Sequence, residues 1–290
     1  MIEARNISKF FSIINEDRTA DGLTAVLSVS LTIEDGKIVS LLGPSGCGKS
    51  TFLEILAGLQ APTEGSVFID GVQVLEPLPS TRKEMEAYRR KYQFLSPLAN
   101  GMFKNRPKHD IAMIFQDYAV FPWMTVMQNV MFTLKLRGIA RNEREAAAMV
   151  YLHKMGLTDS LRKYPSQLSG GMRQRLALAR ALAVQPRIIL MDEPFAAVDA
   201  LTRERLQDDL LRLWEESGIT IVLVTHDTDE ALYLSDEVIV FSPKPGTIRN
   251  RFTVNVERPR RRSDPELLDL KQRITSLFKY DINNESEYSI

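Results

Sequence analysis

Cysteine is nearly missing from this chain of 290 residues, where Cys47 stands alone. A single thiol excludes a disulfide framework within the chain and fits a reducing compartment. Long apolar runs are missing too: no stretch reaches the ~18 consecutive apolar residues of a membrane-spanning helix. The opening Met1-Ile2-Glu3-Ala4-Arg5-Asn6 has no basic segment leading into an apolar one, so no secretory signal is expected. Neither sign of charge is in excess, with 37 Lys and Arg against 37 Asp and Glu. That balance argues against a strongly basic nucleic-acid-binding domain and leaves room only for a local patch. The chain shows no internal repeat and no low-complexity tract. What remains is 44% hydrophobic and 26% charged, ordinary for a soluble globular protein and long enough for one large or two small cores.

The most informative stretch is Gly43-Pro44-Ser45-Gly46-Cys47-Gly48-Lys49-Ser50-Thr51. It fits G-x-x-x-x-G-K-[ST], the P-loop pattern that cradles nucleotide phosphates. The pattern needs a strand before it and a helix after it, and both flanks comply. Lys37-Ile38-Val39-Ser40-Leu41-Leu42 reads as a buried strand, and Phe52, Ile55, Leu56 and Leu59 recur at helical spacing. Glycines let the backbone approach a phosphate, and the N–H groups at a helix start point at the anion. Lys49 would then reach the β- and γ-phosphates, and the Ser50 hydroxyl would ligate Mg²⁺. Cys47 reads as a small residue filling a tight loop.

Elsewhere, residues 2–7 and 25–33 read as strands, joined by a polar loop that opens with Phe10-Phe11. An aromatic there can stack on a base or serve as core. Residues 65–71 read as one strand bounded by turns. Residues 76–108 differ in character, with Pro77, Pro79, Pro97 and Pro107 around Arg82, Lys83, Tyr88, Arg89, Arg90, Lys91 and Tyr92. Such a run can bind single-stranded nucleic acid or form the solvated face of a helix, and the neutral balance favours the second. Residues 124–163 look helical, and His153 among them reads as structural.

Two further constellations bear on chemistry. Leu168-Ser169-Gly170-Gly171-Met172-Arg173-Gln174 is a polar turn opening an alanine- and leucine-rich helix. Ser169 could cap that helix, and the glycine pair is a candidate anion site. Arg187-Ile188-Ile189-Leu190-Met191-Asp192-Glu193-Pro194 reads as a buried strand delivering two acids at its C-terminal end, the edge where open α/β sheets bind ligands. Beside a P-loop, Asp192 would hold Mg²⁺ directly or through water, and Glu193 would act as general base on the attacking water. Residues 199–217 form an amphipathic helix, and the strand at 221–225 ends in His226, placed to sense a γ-phosphate. A last strand covers 237–241. The tail run Arg258-Pro259-Arg260-Arg261-Arg262 could touch acidic lipid heads, although a solvated tail is the plainer reading.

Taken together these motifs resemble the ATP-binding-cassette (ABC) ATPases over nearly the whole chain. The signature-like Leu168-Ser169-Gly170-Gly171-Met172 is the discriminating piece, with Met172 where glutamine is common. The resemblance implies an α/β P-loop NTPase core with an antiparallel β subdomain and a helical signature subdomain. It implies ATP hydrolysis with Mg²⁺ by a homodimer that holds each ATP between one copy's P-loop and the other's Ser169, Gly170 and Gly171. It also makes Gln116 the Q-loop glutamine near the metal and the attacking water, Phe11 the adenine-stacking aromatic, residues 196–199 the D-loop and His226 the switch histidine.

Phe115-Gln116-Asp117-Tyr118-Ala119-Val120-Phe121-Pro122-Trp123-Met124-Thr125-Val126 is similar to importer ATPases for nitrate, sulfonate, taurine and related solutes, as are residues 192–203 and Ser242-Pro243-Lys244-Pro245-Gly246. That resemblance implies a subunit peripheral to the cytoplasmic face of the membrane. It would be docked through residues 121–126 on transmembrane permease subunits that an extracytoplasmic solute-binding protein feeds, with no nucleic-acid partner. The expected layout is a cassette over 1–242, with a helical subdomain at about 117–180 and an unusual insertion at about 76–108. An extension over 243–290 packs on it or trails from it. The alternative is a non-transport cassette ATPase acting on nucleic acid or ribosomes, which would usually carry two fused cassettes or long coiled coils. The insertion could instead be a regulatory module.

Overall fold

The computed structural model describes residues 1–14, 20–77 and 111–285. The basic, aromatic run at 82–92 and most of the 76–108 insertion lie outside them. The chain forms two compact units.

The first unit comprises residues 1–35, 39–109 and 226–290. Its antiparallel sheet is built from β1 (Ile2–Ile14), β2 (Ala20–Ile33), β4 (Glu64–Ile69) and β5 (Val72–Leu75), in the order β2-β1-β4-β5. Ile2 lies opposite both Ile33 and Ile69, and the alternation of Ile2, Ala4, Val29, Leu31, Ile33, Val67 and Ile69 puts one face into the core. Of the residues expected as a polar loop, those from Phe10 to Ile14 are strand instead, since pairing continues through Phe11↔Leu23 to Ile14↔Ala20, and the remainder of that loop lies outside the described residues. Each added pair satisfies backbone groups that a loop would leave to water. The single strand expected at 65–71 is half a hairpin. Asp70 and Gly71, at φ 50° and 75°, form the tight turn into β5, the turn that Asp-Gly favours.

In the same unit β3 (Ile38–Leu42) pairs in parallel with β9 (Glu237–Phe241), which pairs antiparallel with β10 (Ile248–Thr253). Helix α1 (Lys49–Leu56) buries Phe52, Leu53, Ile55 and Leu56, and the Phe52 ring lies 5.9 Å from that of Phe241. Leu59 lies beyond the helix and is exposed. Helices α6 (Thr228–Leu234) and α7 (Pro265–Glu285) close a second cluster with Leu42, Leu232, Val240, Phe252, Leu267 and Ile274. The arginine run between β10 and α7 is not a solvated tail. Arg260 is 5% exposed and donates to the carbonyls of Leu232, Tyr233, Ser235, Val254 and Val256. Arg258 reaches Asp236 at 2.5 Å, and Arg262 stacks 3.8 Å over Tyr233.

The second unit comprises residues 36–38 and 110–225. Its parallel strands run β6 (Ile111–Ile114), β7 (Ile188–Asp192), β8 (Thr220–Thr225), with Ile188 opposite Ile111 and Thr220. Parallel strands buried on both faces read as continuous apolar runs, as Ile188-Ile189-Leu190-Met191 does. The stretch expected to be helical over 124–163 is two helices, α2 (Val126–Leu136) and α3 (Arg141–Lys154), broken at Gly138, whose φ is 78°. Helix α4 (Gly170–Ala183) packs against both, and α5 (Ala200–Ser217) follows β7. Trp214 of α5 donates its indole N–H to Gly36 O at 2.9 Å, and Ile221 N donates to Lys37 O at 2.9 Å, so residues 36–38 are anchored beside β8. No helix among the described residues is long and apolar enough to cross a membrane.

Candidate functional site

The glycine loop lies between β3 and α1 in the first unit. Gly48, the N-cap of α1, has φ 99° and offers no side chain to cap the helix, and the first turn carries no acidic residue. The helix start is thus left to an anion, by its N–H groups and its dipole. A Cβ on Gly48 would fall 2.3 Å from Ala25 O, so the loop can follow this path only with glycine there.

Lys49 is 4% exposed, and its ammonium folds back over the loop. Nζ donates to Gly43 O and Pro44 O, both at 2.8 Å, and lies 3.7 Å from Cys47 Sγ. Those carbonyls hold the cation in place in a way that an arriving phosphate oxygen can replace. Cys47 is buried, and burial pushes its thiol pKa up despite the neighbouring ammonium, which keeps it protonated and unreactive. Ser45, Gly46 and Ser50 are exposed, with Pro44 and Thr51 half-buried. His226 is exposed just ahead of α6, whose first N–H groups are capped by Asp227. Phe11 is half-buried on β1, with the Lys9 ammonium 5.2 Å from its ring centre.

The second unit carries the acids. β7 ends at Asp192, and the next residue, Glu193, takes φ 44°, the left-handed region that costs a non-glycine residue. Its N–H donates to Val224 O at 3.0 Å, so the neighbouring strand holds that geometry. Gln116, two residues after β6, donates from Nε2 to Glu193 Oε2 at a long 3.4 Å. Two side chains that sequence reasoning passed over hold the segment after it. Asn129 is fully buried, with Oδ1 accepting from Phe121 N and Nδ2 donating to the carbonyls of Phe121, Met124 and Thr125. Arg180 donates to Ala119 O. An asparagine at helical spacing and an arginine in an amphipathic helix look ordinary in sequence, and their targets are backbone carbonyls, which carry no sequence signal.

Ser169 caps α4 by accepting from Met172 N at 3.3 Å, the role its position suggested. Gly171 packs so tightly that a Cβ would lie 2.7 Å from Thr202 Cγ2, and one on Gly170 would lie 3.0 Å from Ala197 O. The start of α4 therefore rests on the turn into α5, where Asp199 accepts from Thr202 N at 3.0 Å. Hydrogen bonds from Thr202 hold the Asp199 carboxyl below its ordinary pKa.

The structure thus brings Gln116 to Glu193 and the residues around Gly171 to those around Thr202 within the second unit. The glycine loop, Lys49, Phe11 and His226 belong to the first. Ser50, Gln116 and Asp192 offer hard oxygen donors, the kind Mg²⁺ takes. Among the described residues no group of three or more His, Cys, Asp or Glu could hold a metal. Chemically, the first unit can bind polyphosphate and the second can present a carboxylate base.

A family model described as "ABC transporter" matches residues 26–196. An uncharacterised ABC transporter ATP-binding protein of Methanocaldococcus jannaschii is 39% identical over 97% of this chain and 92% of its own length. A nitrate import ATP-binding protein of Synechocystis is 38% identical over 91% of this chain and 92% of its own length. Among solved structures, a dimeric post-hydrolysis ATP-binding cassette bound to ADP and Pi matches with a TM-score of 0.68 at 32% identity, covering 89% of this chain and all of that one.

Proposed function

This chain belongs to the ABC transporter family as an ATP-hydrolysing ATP-binding subunit, and from that premise we propose that it powers import of a small solute of the nitrate, sulfonate and taurine class. The observation that carries the reading is the P-loop: an uncapped helix start, with the Lys49 ammonium resting on Gly43 O and Pro44 O where phosphate oxygens can take over. In the proposed reaction residues 43–51 hold the β- and γ-phosphates of ATP, Phe11 stacks on the adenine, and Lys49 neutralises charge on the transferred group. Gln116 and Glu193 position a water, and Glu193 takes its proton as the oxygen attacks the γ-phosphorus. ADP leaves with the bridging oxygen, and phosphate is released. Ser50, Asp192 and Gln116 would hold Mg²⁺, which when bound spreads the negative charge of the β- and γ-phosphate oxygens. His226 would contact the γ-phosphate.

Two copies would act together, each contributing Ser169, Gly170 and Gly171 to its partner's ATP. The pair would sit peripherally on the cytoplasmic face of transmembrane permease subunits, with a solute-binding protein outside. Residues 121–126 suit docking, because Trp123 is 68% exposed and rests beside Phe121, ring centres 5.6 Å apart. The cassette would run over 1–242 with 243–290 as its extension.

The test has two parts. The purified chain should release phosphate from ATP, and Lys49→Ala should abolish that release. In native membranes the tagged chain should co-purify with a multi-span permease at one copy per permease subunit. ATPase activity with only non-membrane partners would overturn the import assignment and leave the ATPase standing.

A further inference from the structure

We propose that Arg180 is a positioning residue for hydrolysis, holding a strained turn after Gln116 so that this glutamine stays against Glu193. The inference rests on the ATPase reading above. Tyr118 and Ala119 are consecutive non-glycine residues at φ 65° and 43°, a conformation neither prefers. The Tyr118 hydroxyl is buried with no hydrogen-bond partner among the described residues, a second unfavourable feature in the same turn. Such a turn persists only if its surroundings impose it.

Its surroundings can be named. Tyr118 N donates to Phe115 O at 2.8 Å, and Asp117 Oδ1 accepts from Ala119 N at 3.0 Å, so the turn is tied within itself. Arg180 reaches in from α4, donating Nη1 to Ala119 O at 2.5 Å while its guanidinium lies 4.5 Å over the Phe121 ring. Asn129 secures the far end of the segment from α2. Burial lowers the Arg180 pKa, and its Nε has no hydrogen-bond partner among the described residues. The guanidinium is therefore placed at a desolvation cost and engages one strained carbonyl and one ring.

Arg180 sits on the helix that begins with Gly170 and Gly171. Movement of α4 would pull on Ala119 and so on Gln116, three residues earlier. The same plate on Phe121 ties in the segment proposed to dock on the permease. Arg180 thus links the helix start expected to meet the partner's ATP with the glutamine beside the base of its own subunit.

The experiment uses the full chain. Arg180→Ala is expected to lower kcat for ATP about tenfold or more, while KM for ATP changes by less than about threefold. Arg180→Lys keeps a charged donor for Ala119 O but loses the flat contact with Phe121, and should fall between. Ala119→Gly accepts φ near +43° without strain, so adding it to Arg180→Ala should restore part of kcat. A role confined to global stability would lower the melting temperature and leave kcat unchanged at temperatures where the variant is fully folded. Wild-type kcat in Arg180→Ala overturns the proposal, as does a loss carried by KM or the lack of rescue in a variant that melts like wild type. Should Arg180→Ala fail to fold, Arg180→Lys with and without Ala119→Gly decides by the same rescue. A wild-type chain without ATPase activity would instead sink the ATPase reading.

Discussion

Glu193 carries a cost that only its surroundings offset: at φ 44° it stands where a non-glycine residue gives up about 1–3 kcal/mol. The hydrogen bond to Val224 O and the parallel strand behind it hold the residue there, beside Gln116. A carboxylate at that point is a base, and an amide of the same shape is not. Glu193→Gln is therefore expected to bind ATP normally and hydrolyse it at least ~100-fold more slowly, within the range of general-base contributions, as single-turnover assays would show. Normal turnover would remove Glu193 from that role. The pair Asp192-Glu193 was legible because acids at the end of an apolar run are chemically conspicuous, whereas the backbone strain was not, since φ leaves no trace in composition. A second carboxylate shows the opposite economy. Glu237 opens β9, and burial first of all raises its pKa, with Glu34 adding to the rise and Arg251 opposing it. With the folded value above the unfolded one, the native state binds more protons in the interval between them. Stability is therefore fully present below the unfolded value and declines as pH rises through the folded one. At neutral pH the charge is held at a loss, so Glu237→Gln should melt higher than wild type at pH 7. That gain should shrink towards zero below about pH 4, near the ordinary glutamate value, in paired thermal scans. A gain that stays constant across pH would rule out the charge as its source.

At the scale of elements, the parts whose signals are local read best. The strand–loop–helix around Lys49 was legible from apolar spacing, and the helix start at Ser169 from its capping side chain. Less legible were elements fixed by distant partners. β1 and β2 extend beyond their expected ends because each supplies the other's hydrogen bonds, and the break at Gly138 is hidden between two helix-favouring stretches. The C-terminal extension is the clearest instance. A run of arginines reads as solvated, yet Arg260 gathers the carbonyls of Leu232, Tyr233 and Ser235 at the end of α6 and joins them to Val254 and Val256 after β10. Burial pushes its pKa down to about 10, still well above neutral, so the cation is retained. Removing it leaves several carbonyls without a donor at a helix terminus. Arg260→Met should lower unfolding stability by about 3 kcal/mol, the scale of losing a buried charged hydrogen-bond donor, read from denaturant midpoints at constant slope. Lysine should not rescue it, because one ammonium cannot span both groups of carbonyls. A variant as stable as wild type would show that α7 and the apolar cluster alone hold the extension.

For the whole molecule, the residues expected to meet ATP are divided. The glycine loop and Lys49 belong to one unit, while Ser169, Gly170 and Gly171 stand at the start of α4 in the other. The resemblance read from sequence gives the second set to a partner copy, and the packing of Gly171 on Thr202 shows why α4 and the turn into α5 must travel as one piece. What could not be read from sequence at this scale is the purpose of the insertion at 76–108, whose mixture of prolines, bases and aromatics fits several uses. Dimerisation driven by ATP is the decisive consequence. A nucleotide bound between copies stabilises the pair by mass action for as long as it stays intact, so blocking hydrolysis should accumulate dimer. The chain weighs 32.9 kDa. With ATP and Mg²⁺, Glu193→Gln should therefore run in light scattering at about twice that mass, and at the single mass with ADP. Ser169→Arg in the same background should bring the mass back to one copy while leaving ATP bound to the P-loop, because the added side chain obstructs the partner's site and the cap it removes belongs to α4, not to the glycine loop. Persistence of the single mass in ATP-loaded Glu193→Gln would mean that the chain completes its phosphate site without a second copy, and Ser169 would lose its assigned role.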